Sequence, residues 1–226
     1  MAGRISAAVR ASGRQRRLQI LEATLRVIRR GGLRAISHRA VAAEALVPLA
    51  ATTYYFRDLE DLITESFLHW SRSAREQVKA FHEAAVEVLQ QAAQARTSQS
   101  RLVDRLADVA AGYVVEQVTA YRSDRVLEFA FLHEAARMPK LRAVVQARQL
   151  EDRAFLEQFF VAVGSRQPGV EAQISHSLLL GLEKGALLAD SGEAGLASIR
   201  QVLAVHLRRV LPARPGRAHQ GPTPSK

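Results

Sequence analysis

From Ile63 the apolar residues fall at Phe67, Trp70, Ala74, Val78, Phe81, Ala85 and Val88, in steps of 4, 3, 4, 4, 3, 4 and 3. A helix of about 3.6 residues per turn gathers such positions into one stripe. A strand would need apolar residues at every second position, and no convincing run of that kind occurs in the 226 residues. The fold expected is therefore all-α.

The rest of the chain keeps this period. Leu18, Leu21, Leu25 and Ile28 mark a helix from about Arg16, stopped by Gly31-Gly32. Ser37 suits the N-cap of a short second helix carrying Val41, Ala42 and Ala45. Pro48 suits the first turn of a third, since its missing N–H would have no helical partner there. Asp58, with Asp61 three residues on, caps the long helix. After the polar break "QARTSQS" a stripe runs through Leu102, Leu106, Ala110, Tyr113 and Gln117. Further helices are predicted over about 125–137, 140–163, 171–189 and 193–211. About nine helices result, three short ones followed by six that are mostly longer. Residues 1–13 lack periodicity and read as a disordered basic tail. Residues 212–226 hold four of the seven prolines and read as a disordered end. Between them lie a small domain over 14–57 and a larger one over 58–211.

Composition narrows the chemistry. With no cysteine, disulfides and thiolate metal or nucleophile sites are excluded. The Arg-dotted start has no apolar core for a secretory signal. No stretch approaches the roughly 20 apolar residues of a membrane span, so a cytoplasmic protein is expected. The net charge of +10 is uneven. Residues 1–60 hold eleven basic against four acidic residues, whereas the remaining 166 hold 21 against 18. A positive field confined to one quarter of the chain points to a polyanionic partner docking there.

That quarter contains "VPLAATTYYF", residues 47–56. Adjacent helical positions point about 100° apart, so Tyr54 and Tyr55 cannot share one buried face. Three helices with a tight turn between the second and third have the layout of a helix-turn-helix, whose third helix enters the major groove of DNA. Thr52 and Phe56, four apart, would then face the core. Thr53 and Tyr54 would face base edges and phosphates, Tyr55 the sugar-phosphate wall, and Leu49 and Ala51 thymine methyls.

The run "RRLQILEATLRVIRRGGLRAISHRAVAAEALVPLAATTYYFRDLEDLI" resembles the DNA-binding domain of TetR-family transcriptional regulators over about residues 16–62. Beyond Ile63 only the helix pattern matches. The resemblance implies a homodimeric repressor of a near-palindromic operator, released by a small molecule in its helical core. It implies DNA contacts at Ser37, Arg39, Leu49, Ala51, Thr53, Tyr54 and Tyr55. Leu46 stands where the family often has glycine in the turn. Thr53 replaces a common tyrosine, and Leu59 a lysine that often reaches phosphate. Arg10, Arg14, Arg16 and Arg17 offer a basic arm that would compensate.

Elsewhere, no two of the seven histidines are spaced four apart. No nucleophile motif or glycine-rich phosphate loop occurs either, so no catalytic residue, metal or cofactor is expected. Trp70, Tyr113, Gln117, Tyr121, Phe129, His133, Phe155 and Phe159 are the effector-pocket candidates, as aromatic and polar groups within a helical core. Leu178, Gly181 and Gly185, with Leu196 and Leu203, are expected at a two-fold contact of the last two helices. Gly181 and Gly185 one turn apart weaken a helix unless something packs closely on them. The alternative for these two glycines is a tight contact within the chain. Two rival functions are a helical small-molecule carrier or enzyme with an incidental basic end, and a basic protein that binds any duplex or anionic membrane. Effector, operator, regulated genes and the sign of regulation are not encoded in these patterns, and the Arg- and Ala-rich composition suits a GC-rich bacterial genome.

Overall fold

The computed structural model describes residues 2–189 and 193–211, apart from the side chains of residues 2–10, 193, 194 and 196. Among the described residues there are nine α-helices, one 3-10 turn and no strand. They are α1 (Ala2–Gly31), the 3-10 turn Leu33–Ala35, α2 (His38–Glu44), α3 (Leu49–Tyr55), α4 (Leu59–Gln94), α5 (Gln99–Val118), α6 (Arg122–Ala135), α7 (Pro139–Ala162), α8 (Pro168–Leu188) and α9 (Glu193–Val210). None is long and apolar enough to cross a membrane.

The caps form where the sequence places them. The Ser37 hydroxyl accepts from the Ala40 amide at 3.1 Å, and the Asp58 carboxylate from the Asp61 amide at 2.7 Å. Pro48 stands one position earlier than expected, as the residue that caps α3. Pro139 and Pro168 each open a helix, so α8 begins before the predicted residue 171 and takes up part of the expected loop. The tail expected to be disordered differs more, because α1 is helical back to Ala2. "ISAAVRA" holds three alanines and an arginine, which favour helix without an apolar period to announce it. The other expected tail, 212–226, lies outside the described residues.

Two apolar clusters share α4. The first joins Ile20, Leu25 and Ile28 of α1 and Val41 of α2 to Phe56, Leu62 and Ile63. It continues without a break into Phe67, Trp70, Phe131 and Leu141. Helices α1–α3 and the base of the helices that follow are thus sealed by one core. The second cluster packs the far end of α4 (Ala85, Val88, Ala92) against α5, α8 and α9. Between Ala74 and Ala85 no α4 residue is fully buried; Val78, Phe81 and His82 are half-buried. There the helices part around cavities.

Candidate functional site

On α3, Thr52 and Phe56 are buried, and the Thr52 hydroxyl donates to the Leu49 carbonyl at 2.8 Å. The Arg17 guanidinium covers the Phe56 ring, 5.2 Å from its centroid, and pairs with Glu65 of α4 at 3.0 Å. With that face anchored, the opposite one is bare. Tyr54 is 81% exposed, and Leu49 and Thr53 are exposed beside it. Tyr55 is half-buried; its ring meets that of Tyr54 edge-on at 5.0 Å. Its hydroxyl lies 3.5 Å from where a Cβ at Gly13 would stand, so α1 passes closely behind α3. Ser37 and Arg39 are exposed at the start of α2, whereas Ala51 is only partly so and packs on the core. At the turn between α2 and α3, Leu46 takes a left-handed φ of 54° and is 89% exposed. The Leu46 and Val47 amides donate to Ala43 and Ala42 carbonyls, closing the end of α2 as a glycine would. The leucine accepts the strain that this position spares a glycine.

The second feature is a cavity of about 470 Å³ between the middle of α4 and helices α7, α8 and α9. Phe155, Phe159, Leu106 and Leu178 line it, with His82, Ser175 and His206 as its less exposed polar groups and the exposed Lys79, Glu83, Glu87, Gln90 and Gln158 around them. The Ser175 hydroxyl and His206 Nε2 lie 2.8 Å apart, a pair able to donate or accept toward a guest. His82 packs edge-on against Phe155 at 4.7 Å, and burial pushes its pKa down to about 4, so it is neutral at pH 7. Phe81 stacks on Tyr113 at 4.6 Å. Tyr113 also lines a smaller cavity with Trp70, and a groove between α4 and α5 with Tyr121.

Of the expected pocket residues, Trp70, Tyr113, Tyr121, Phe155 and Phe159 therefore line cavities. Three others do not. His133 is exposed on α6, Phe129 is half-buried but lines none of the cavities around α4, and Gln117 is fully buried beyond them. The expectation missed His82, Ser175 and His206 as cavity residues; their places within amphipathic helices do not mark them out. Among the described residues, no three His, Asp or Glu side chains converge as a metal site.

For the expected two-fold contact, Leu203 is buried within the chain against α5 and is not free to meet a partner. A stripe says that a residue faces inward, not which helix it meets. The Leu196 side chain lies outside the described residues. Gly181 and Gly185 are exposed, and a Cβ on either would meet nothing within 4 Å, which removes the tight contact within the chain. Ile174 (50% exposed) and Leu188 (80%) continue that bare face of α8, and Val202 and Val205 are exposed on α9. Leu178, by contrast, turns into the large cavity.

An exposed third helix braced by two others, below a larger helical body, is the arrangement of a helix-turn-helix transcriptional regulator. The chain belongs to the TetR family of transcriptional regulators: residues 101–213, half of its length, match the tetracyclin repressor-like C-terminal domain. SCO7518 of Streptomyces coelicolor A3(2), a candidate transcriptional regulator, is 29% identical, with a TM-score of 0.60 over 85% of this chain and 98% of its own. The TetR-family member SCO1917 of Streptomyces coelicolor A3 is 29% identical over 88% and 99%, with a TM-score of 0.56. The multidrug binding protein EbrR in complex with proflavin is 30% identical over 84% and 99%, with a TM-score of 0.52. EbrR also resembles this chain in its complexes with imidazole, ethidium and malachite green. No curated protein matches the chain by sequence.

Proposed function

We propose that this regulator is a homodimeric repressor that reads a near-palindromic operator through α3 and releases it when a small molecule fills the α4–α7–α8–α9 cavity. The observation that carries the reading is α3 itself. Its inner face is locked by Thr52 and Phe56, while Tyr54, Thr53 and Leu49 stand bare beside Ser37 and Arg39. Aromatic and hydroxyl side chains held outward on an otherwise satisfied helix serve a partner, and the excess of basic residues in the first 60 makes that partner a nucleic acid. Two copies joined along the bare faces of α8 and α9 set two α3 helices in successive major grooves, about 34–36 Å apart. The cavity lies within the roughly 300–1,000 Å³ range of ligand sites and is lined mainly by aromatic and aliphatic groups. EbrR, with its aromatic ligands, supports a guest of that kind. No catalysis is assigned to the cavity, and the fold suits a protein that works in the cytoplasm beside DNA.

Selecting bound duplexes from a random pool tests the reading. A palindrome with half-sites one turn apart is expected, and combining Tyr54→Ala with Arg39→Ala should abolish the selection. Indifference to duplex sequence, or unchanged affinity in the double variant, refutes it.

A further inference from the structure

Between α4, α6, α7 and α8 the core carries charge. Arg125 and Glu128 come from α6, Arg148 and Asp152 from α7, and Glu183 from α8. With Trp70, Tyr113, His82 and His176 they line the smaller cavity, of about 50 Å³. Arg125 Nη1 donates to Glu183 Oε2 at 3.2 Å, and its Nη2 stands against Glu128 Oε2. Arg148 Nε donates to Asp152 Oδ2 at 3.0 Å and its Nη1 to the Ser71 carbonyl at 3.3 Å. Two guanidiniums thus face three carboxyl groups, and the nearby side chains do not redress the balance. His82 and His176 are held neutral by burial, for His176 against the pull of Asp152. Burial first, and then Glu183, keeps the Tyr113 hydroxyl protonated. On the outer side, Arg75 and Glu151 pair with each other, and Arg153 does not line the cavity. With every carboxyl ionised, this buried pocket holds one uncompensated negative charge, an arrangement a protein interior does not sustain.

The pocket adjoins the large apolar cavity, and Phe81, His82, Leu156 and Leu179 line both. Asp152 has Arg148 to itself, whereas Glu183 shares Arg125 with the nearer Glu128. Burial raises the pKa of all three carboxyl groups, Glu128 and Asp152 as well as Glu183. Glu183, with the longest of the three ion pairs, is the one least matched by its guanidinium. We propose that the effector is an aromatic monocation, its rings in the large cavity and its positive charge facing the Glu183 carboxylate. This rests on the reading of the cavity as the effector site.

Without a guest, the surplus is removed by a proton: burial pushes the Glu183 pKa up to about 7 against the pull of Arg125. An arriving cation takes the place of that proton. Binding therefore releases one proton below pH 7 and tightens as the pH rises through about 7. A neutral aromatic of the same shape gains nothing from the carboxylate, and a dication would leave one charge unmatched.

N-methylacridinium and acridine, which is uncharged at pH 8, have nearly the same outline and differ by one fixed charge. Titrating each into the full-length protein should show the cation binding at least tenfold tighter at pH 8, with the advantage shrinking several-fold at pH 6. Glu183→Gln should erase the advantage, so that the two probes bind alike. Calorimetry of the unaltered protein in buffers of different ionisation enthalpy should show uptake of about one proton by the buffer per cation bound near pH 6, a readout that stands even where the variant fails to fold. Equal affinity for the two probes, no binding of either, a cation preference that survives Glu183→Gln, or binding without proton release overturns the assignment. The duplex selection needs no ligand, so a protein that chooses an operator but does not distinguish the probes loses this assignment alone.

Discussion

Tyr54 and Phe56 lie two positions apart on α3 and answer to different partners. Tyr54 touches little beyond Tyr55, so Tyr54→Ala should change stability by no more than about 0.5 kcal/mol in urea unfolding while operator affinity collapses in anisotropy titrations. Phe56 is locked beneath Arg17, and Phe56→Ala should destabilise the fold by about 3–5 kcal/mol. Glu183 shows itself through pH. Its folded-state pKa is raised, chiefly by burial, from an ordinary 4.5 to about 7. The folded chain thus holds this proton more tightly than the unfolded one. The corresponding stabilisation is complete below about pH 4.5 and is lost as pH rises through about 7. Glu183→Gln stays neutral throughout. The stability of the variant relative to the unaltered protein should therefore climb between pH 5 and 7.5, as read from urea midpoints at each pH. A flat difference would mean that Glu183 is not held protonated.

At the scale of the element, α4 matters most, since it follows directly on α3, borders each of the cavities described above and ends in the second core. Its first turn is tied sideways by Lys140 of α7, whose ammonium meets Asp58 at 2.9 Å and whose amide donates to Glu60 at 2.8 Å. A second tie joins Arg29 of α1 to Asp124 of α6 at 2.6 Å. Exposed pairs like these add less than about 1 kcal/mol to stability, but they join the elements that the proposed release would move together. Lys140→Ala combined with Asp124→Asn should leave operator affinity within about twofold while weakening release by a saturating guest several-fold, compared by anisotropy with and without it. Much of α4 could be read from sequence, because its apolar period and its Asp58 cap are local. The expectation failed at Val78 and Phe81, which the stripe places in packed core and the fold places at a cavity wall. A cavity is made by the separation of helices distant in sequence, and no local pattern records it. For the same reason His82 could not be told from a polar position on a solvated face, while Ser37, Thr52 and Tyr54, set by a cap and a four-residue spacing, were legible.

For the whole molecule, the unanswered face is that of Gly181 and Gly185. In a lone chain, alanine at each should stabilise α8 by about 1 kcal/mol, because nothing within 4 Å opposes a Cβ. In a pair joined closely along α8 the same methyl groups hold the copies apart. Sedimentation of the double alanine variant should therefore show weakened self-association, and a gain in melting temperature with unchanged association would exclude a glycine-mediated contact. Charge belongs to this scale as well. With eleven basic residues against four acidic in its first 60, the proposed DNA-reading end would neutralise several phosphates, so operator affinity should fall steeply and linearly on a log-log plot against salt.

The left-handed Leu46 keeps the hinge of the reading head wound like a spring. An L side chain in that conformation costs on the order of 1 kcal/mol, and glycine would relax it. Were the docked head in equilibrium with a loosened one, that relief would shift the balance about fivefold toward the docked form. Under the proposed repression, a single surface leucine, exposed and outside the core, would set how readily the gene it governs is silenced.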